Sequence, residues 1–211
     1  MIPLSEQPVP ADFDNSTMRR KGDEFLAKHL DHDKVDFKCA DYWRLAAGAL
    51  NKAYRGICAY TCFYIPGGGE VDHFLPKGKK EYRHLAYAWS NFRLTLGEIN
   101  QFKGNSIEVL DPFCIEAGWF VIDFPGCVIQ PGDGLSSDIK EKVEKTIKTL
   151  RLNYEYFVEY RCRIMQYFAD GSMDMTTLKN DYPFLAAEII RQGIEFNAAQ
   201  IFKRHPSANK Q

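Results

Sequence analysis

Between Glu70 and Asn105 the chain reads EVDHFLPKGKKEYRHLAYAWSNFRLTLGEINQFKGN. This stretch gathers an acid, an imidazole, two amides and a series of cations. Asp72 and His73 are adjacent, Asn91 and Asn100 follow, and Lys103 comes three residues after Asn100. These residue types suit phosphodiester hydrolysis. Activating water near neutral pH needs a base, and histidine is the natural one. The phosphate and the departing oxygen need a cation, and a hard divalent ion asks for carboxylate or amide oxygens. His73 is therefore the candidate base, and Asp72 and Asn100 are the candidate metal ligands. One carboxylate plus one neutral amide leaves the ion much of its charge, as a Lewis acid requires.

Geometry adds to this. Neighbouring strand residues point to opposite faces, so Asp72 and His73 reach one site only where a strand ends or bends. Asn100 and Lys103 share a face if their segment is helical, which would let Lys103 hold a phosphate beside the metal. Asn91 is expected to be architectural, tying a loop to a strand by side-chain-to-backbone hydrogen bonds. Lys77, Lys79, Lys80, Arg83, Arg93 and Lys103 outnumber Glu81 and Glu98 across this segment. Because they flank the candidate site, they are read as nucleic-acid contacts.

The elements that must position these residues follow from punctuation and period. Residues 1–16 are polar and proline-containing and are expected to form an extended arm. STMRRKGDEFLAKHL predicts a short helix capped at Ser16. CADYWRLAAGALNKAY predicts a second helix, with Trp43, Leu45, Ala46, Leu50 and Ala53 at helical spacing, stopped by Gly56. ICAYTCFYI (57–65) reads as a strand, PGGG (66–69) as a turn and EVDHFL (70–75) as the second arm of a hairpin. A loop, a short strand near NFRLT and the helix LGEINQFKGN follow. GWFVIDFPGCVI predicts a hairpin around Pro125-Gly126. Beyond it lie helices: one opened by an Asp138/Glu141 capping box, one through Phe157 and Met165, and one near Asp174 or after Pro183. KRHPSANKQ is a polar tail. PGGGE lacks the Lys-Ser/Thr of a phosphate loop and is read as a turn.

VDHFLPK, WSNFRL and INQFKG, in this order and spacing, resemble the HNH endonucleases, whose motif sits on a ββα-metal fold. Asp72 matches the family's metal-binding acid, His73 its general base, Asn91 its central structural asparagine and Asn100 its metal-binding asparagine; Lys103 completes an N-x-x-K ending. About 35 of the 211 residues carry the match. CAYTC, DPF (111–113) and TLRLN (149–153) followed by Arg161 are similar to a bacterial subgroup that includes the nuclease subunit of the Septu antiphage system. The resemblance implies a divalent-metal-dependent DNA endonuclease using Mg²⁺ or Mn²⁺, leaving 5′-phosphate and 3′-hydroxyl ends, with DNA as partner and an ATPase subunit beside it in antiviral defence. Many HNH proteins carry two Cys-x-x-Cys pairs around a structural zinc. Here Cys58 and Cys62 are separated by three residues and no second pair lies near the helix, so buried thiols rather than zinc are expected.

The fold class expected is α+β: an N-terminal arm and helices over 1–55, the ββα-metal core with its following hairpin over 56–130, and a C-terminal helical region over 131–211 packed on the core as one domain. An apolar fraction of 45% and a charged fraction of 26% fit a globular protein, and a net charge of −1 does not exclude nucleic acid. No run approaches the ~18–20 apolar residues of a membrane span. The start lacks the pattern of a signal peptide and the six cysteines are irregularly spaced, so a cytoplasmic place with reduced thiols is expected. Two readings compete with a DNA nuclease: a DNA- or partner-binding subunit on the same scaffold, and a nuclease aimed at RNA.

Overall fold

The computed structural model describes residues 1–202. The chain is a mixed α+β protein that divides into two compact units. The first comprises Pro3–Tyr60 and Tyr64–Ile115; the second comprises Met1–Ile2, Thr61–Phe63 and the chain from Glu116 onward.

In the first unit, Ser16 caps α1 (Thr17–His29), its Oγ accepting from the Arg19 amide at 3.1 Å. Met18, Gly22 and Leu26 form the buried stripe of this helix. The N-terminal segment is irregular but tied down. Leu4 N donates to Pro112 O, and Trp89 Nε1 donates to Gln7 O at 2.9 Å. The single helix predicted over 39–54 is instead a 3-10 turn, Tyr42–Ala46, running into α2 (Ala47–Ala53). Leu45 is 63% exposed, because the inward stripe runs through Ala46 and Leu50 and leaves it outside.

The strand predicted over 57–65 does not form. Gly56, at φ +71°, reverses the chain, and Ile57 and Tyr64 make one isolated bridge. The β-branched and aromatic content of this segment reflects burial, not pairing. The Asp-His strand therefore takes another partner. β1 (Glu70–His73) pairs antiparallel with β2 (Phe92–Thr95), in the register Asp72↔Arg93 and His73↔Phe92. The long loop between them is pinned at its base. Phe74 N donates to Asn91 O, Leu75 N donates to Asn91 Oδ1 at 2.8 Å, and Asn91 Nδ2 donates to the carbonyls of Leu75 and Leu85. α3 (Gly97–Lys103) follows β2 and buries Ile99 and Lys103.

In the second unit, β3 (Phe120–Asp123) and β4 (Val128–Pro131) form the predicted hairpin. Its outer backbone groups are met by helix and turn side chains. Glu188 accepts from Ile122 N, Gln192 donates to Ile122 O, and Asn153 brackets Ile129 through both amide atoms at 2.7–2.8 Å. These bonds explain why the hairpin groups with the helices and the chain divides at 115/116 rather than at 130. α4 (Ser137–Thr149) is capped by Ser136, which accepts from Ile139 N. Asp138 is already inside the helix and pairs with Lys142 instead of capping. α5 (Glu155–Ala169) buries Arg161, whose guanidinium donates to Cys127 O, Leu152 O and Asn153 Oδ1. Both predicted starts of the last helix are used: α6 (Met175–Asp181) is capped by Asp174, and α7 (Pro183–Arg191) starts on its proline. A short α8 (Ala198–Ile201) was not legible in the sequence. The predicted polar tail lies outside the described residues. Among those residues no helix is long and apolar enough to cross a membrane.

Gly22 shows how tightly α1 sits. A Cβ there would lie 2.4 Å from Cγ of Tyr87, and the Tyr87 ring is itself fixed by its hydroxyl bond to Ala40 O. Gly→Ala inside a helix ordinarily stabilises by about 1 kcal/mol. Here the overlap outweighs that gain, and Gly22→Ala is expected to lower stability by roughly 1–3 kcal/mol, read as a reduced midpoint in urea unfolding.

Candidate active site

A cleft of about 460 Å³ opens in the first unit. Asp72, His73 and Asn100 line it, with Trp43, Arg44, Glu70 and Lys77. β1 ends at His73, where the alternation of faces stops, so adjacent residues both reach the cleft.

His73 is 6% exposed. Its Nε2 lies 2.8 Å from the carbonyl oxygen of Ala86. A carbonyl only accepts, so Nε2 carries the hydrogen and Nδ1 presents a lone pair. The rings of Trp43 and Phe92 stand edge-on to the imidazole, at 5.0 and 5.4 Å between centroids. Burial, then the Lys77 ammonium, and more weakly that of Lys103 pull the imidazole pKa down to about 3, against the bond to Ala86. The base expected to titrate near neutrality is thus held neutral far below it.

Asp72 is 2% exposed and its carboxylate is fully engaged. Oδ1 accepts from Lys103 Nζ at 2.9 Å, and Oδ2 accepts from the Tyr60 hydroxyl at 2.6 Å. Burial and the adjacent carboxylate push the Tyr60 pKa well above its ordinary value, so it stays a donor. Lys103 also donates to His73 O at 2.7 Å. Asn100 Nδ2 donates to Glu70 Oε2 at 2.9 Å, which leaves Asn100 Oδ1 as the hard donor of that side chain. Asp72, Asn100 and Glu70 supply oxygen ligands suited to Mg²⁺, which commonly takes one or two carboxylates and completes its shell with water and phosphate. Among the described residues no cluster of three His, Cys, Asp or Glu side chains is arranged for a metal.

The predicted cationic contacts separate into two groups. Lys77 lines the cleft, Lys79 is half-buried, and exposed Lys80 pairs with Asp33. The other three are framework. Arg83 is fully buried and donates to the carbonyls of Leu30, His32 and Asp33 just beyond α1. Arg93 makes a two-pronged pair with Asp111, at 2.9 and 2.6 Å, under the Phe113 ring. Lys103 is committed to Asp72. None of these three can meet a phosphate without breaking a buried pair or cap. Arg44, 77% exposed at its side chain and paired with Asp41, is a cleft cation that the sequence did not single out. Tyr60 and Trp43 carry no signal in the sequence beyond that of strand and helix residues. Glu70 was detectable, since it sits two residues before Asp72 on the same strand face.

No family model matches this chain, and none of the curated proteins matches it significantly.

The buried imidazole gives a pH signature. Its pKa falls from 6.5 unfolded to about 3 folded, so the unfolded chain binds the extra proton. The stability this residue contributes is present above pH 6.5 and drains away as pH falls toward 3. At about 1.4 kcal/mol per pH unit the span is on the order of 5 kcal/mol. Urea unfolding of the parent between pH 7 and 3.5 is expected to show this slope, and His73→Gln to flatten it.

Proposed function

We propose that this protein is an HNH-type endonuclease that hydrolyses DNA phosphodiester bonds with a divalent metal. The observation that carries the reading is the tautomer of His73: a buried neutral imidazole, its Nε2 hydrogen held by the Ala86 carbonyl and its unprotonated Nδ1 on the side of Lys77, at a cleft that also contains Asp72 and Asn100. Support also comes from the order of elements, two antiparallel strands and then a helix, with Asp72 and His73 on the first strand, Asn91 in the turn just before the second and Asn100 on the helix.

In this mechanism Nδ1 of His73 takes a proton from a water that attacks phosphorus in line, and the 3′ oxygen departs. Asp72 and Asn100 would hold Mg²⁺ or Mn²⁺, which when bound neutralises charge on the phosphate and the leaving oxygen. Lys77 and Arg44 supply positive charge at the cleft for the non-bridging oxygens. Asn91 acts through the backbone alone, holding the loop that carries the Ala86 carbonyl. An imidazole of low basicity needs help to take a proton from water. Arrival of an anionic phosphate raises its basicity, and a divalent ion, were it held by Asp72 and Asn100, would supply the acidity that the attacking water lacks.

The outer motifs serve the framework. Asp111 and Phe113 of DPF hold Arg93, and Leu152 and Asn153 of TLRLN receive Arg161. The ATPase partner and the role in antiviral defence belong to the same proposal and rest on the resemblance of those motifs.

The test is cleavage of supercoiled plasmid by purified protein with Mg²⁺ or Mn²⁺, beside a chelator control and His73→Ala. The expected result is nicking or linearisation that the chelator abolishes and that His73→Ala slows by about 10²–10⁴-fold, the usual contribution of a general base. Equal cutting by His73→Ala removes the imidazole from the reaction. A parallel single-stranded RNA substrate separates a DNA from an RNA nuclease.

A further inference from the structure

Lys77 stands at the edge of the imidazole that faces the cleft. Its Nζ lies 3.5 Å from Nδ1 of His73, 4.1 Å from the centroid of the Trp43 ring and 5.8 Å from that of Phe37. Among the described residues it forms no ion pair with a carboxylate. The contrast with Lys103 is sharp. That ammonium is fully buried on a carboxylate and a carbonyl and cannot leave without stranding Asp72. Lys77 rests on two aromatic faces and a long contact to a neutral nitrogen.

Such a perch holds an ammonium weakly, since a cation over a ring gains little where water still reaches it. A phosphate oxygen offers a charge-assisted hydrogen bond, which is stronger. The lysine stem has four rotatable carbons and allows the move without disturbing the loop. While perched, the ammonium directs its hydrogens at the lone pair that must accept a proton from water.

Building on the phosphodiester-cleaving reading above, we propose that Lys77 is a phosphate-triggered cover on the His73 base: it rests over Trp43 in the free protein and transfers to a substrate phosphate on binding, exposing Nδ1 only when a phosphodiester is in the cleft. Lys77 is then a phosphate-binding residue that also restrains the base against idle proton exchange. The cover explains why the most enclosed of the cleft cations sits on the base instead of on an acid.

The test is NMR of protein labelled with ¹³C-lysine, in chelator so that nothing is cut, titrated with a short DNA duplex. Lys77→Arg identifies the Lys77 signal. The Trp43 ring current shifts the Lys77 ε-protons upfield of ordinary lysines, and Trp43→Leu is expected to remove that shift. As the duplex saturates the protein, the signal is expected to return to the ordinary lysine position. In cleavage assays Lys77→Met is expected to raise KM on the order of tenfold with a smaller change in kcat, and Lys77→Arg to restore KM. A Lys77 signal that stays upfield at saturation overturns the cover while leaving the nuclease reading intact. Failure of the duplex to bind at all overturns the cover and counts against the nuclease reading with it.

Discussion

A buried lysine ammonium, that of Lys103, fixes the site. Removing an ion pair from water is unfavourable by several kcal/mol per ion, and mutual attraction compensates only when every remaining hydrogen-bonding site is met. Here Lys103 meets Asp72 and the His73 carbonyl, while Tyr60 meets the other carboxylate oxygen. Three pieces of chain converge on one charge: the end of β1, the end of α3 and the loop residue before the 61–63 segment. The His73 backbone is fixed by the same ammonium that neutralises Asp72. Its imidazole is fixed separately, by the Ala86 carbonyl on a loop that Asn91 pins. Base and acid are thus held by independent anchors, and Asn100 comes one helical turn before Lys103 on α3.

The same device recurs with guanidinium groups. Arg83, Arg93 and Arg161 are each nearly or wholly buried and each gathers several oxygens: Arg83 the carbonyls of the segment after α1, Arg93 the Asp111 carboxylate and two carbonyls, Arg161 the Cys127 and Leu152 carbonyls and the Asn153 amide oxygen. Arginine suits this work because its planar fork satisfies several acceptors at once and sheds water more readily than an ammonium. A chain with long irregular stretches has many carbonyls outside helices and sheets, and these cations supply the donors such backbone requires.

That use of cations explains where the sequence misleads. Lys103, Arg83 and Arg93 look like phosphate contacts in a linear reading, because charge type is visible in a sequence and burial is not. Their acceptors are carbonyls or an acid up to 54 positions away, a distance that no local pattern carries. The strand expected at 57–65 fails for a related reason: its aromatic and β-branched residues answer to burial, which a loop can supply as well as a sheet. Ser136 displaced Asp138 as a cap by two residues, within the ordinary uncertainty of a helix start. What was legible had short-range causes. The Ser16 cap, the end of the helix before Gly56, the hairpin at 120–131 and the coming together of Asp72, His73 and Asn100 at one cleft all follow from spacing, from turn chemistry or from the end of a strand.

The cleft therefore holds an uncharged imidazole beside an ion-paired carboxylate, with the cations of Lys77 and Arg44 along its lining. The proposed hydrolysis turns on which nitrogen of His73 bears the hydrogen. Long-range ¹H–¹⁵N NMR of the His73 ring at pH 7 measures this directly, without substrate or metal. The expected result is a neutral ring protonated at Nε2, with the Nδ1 resonance at the position of an unprotonated nitrogen. A ring protonated at Nδ1, or one carrying both hydrogens at neutral pH, would contradict it.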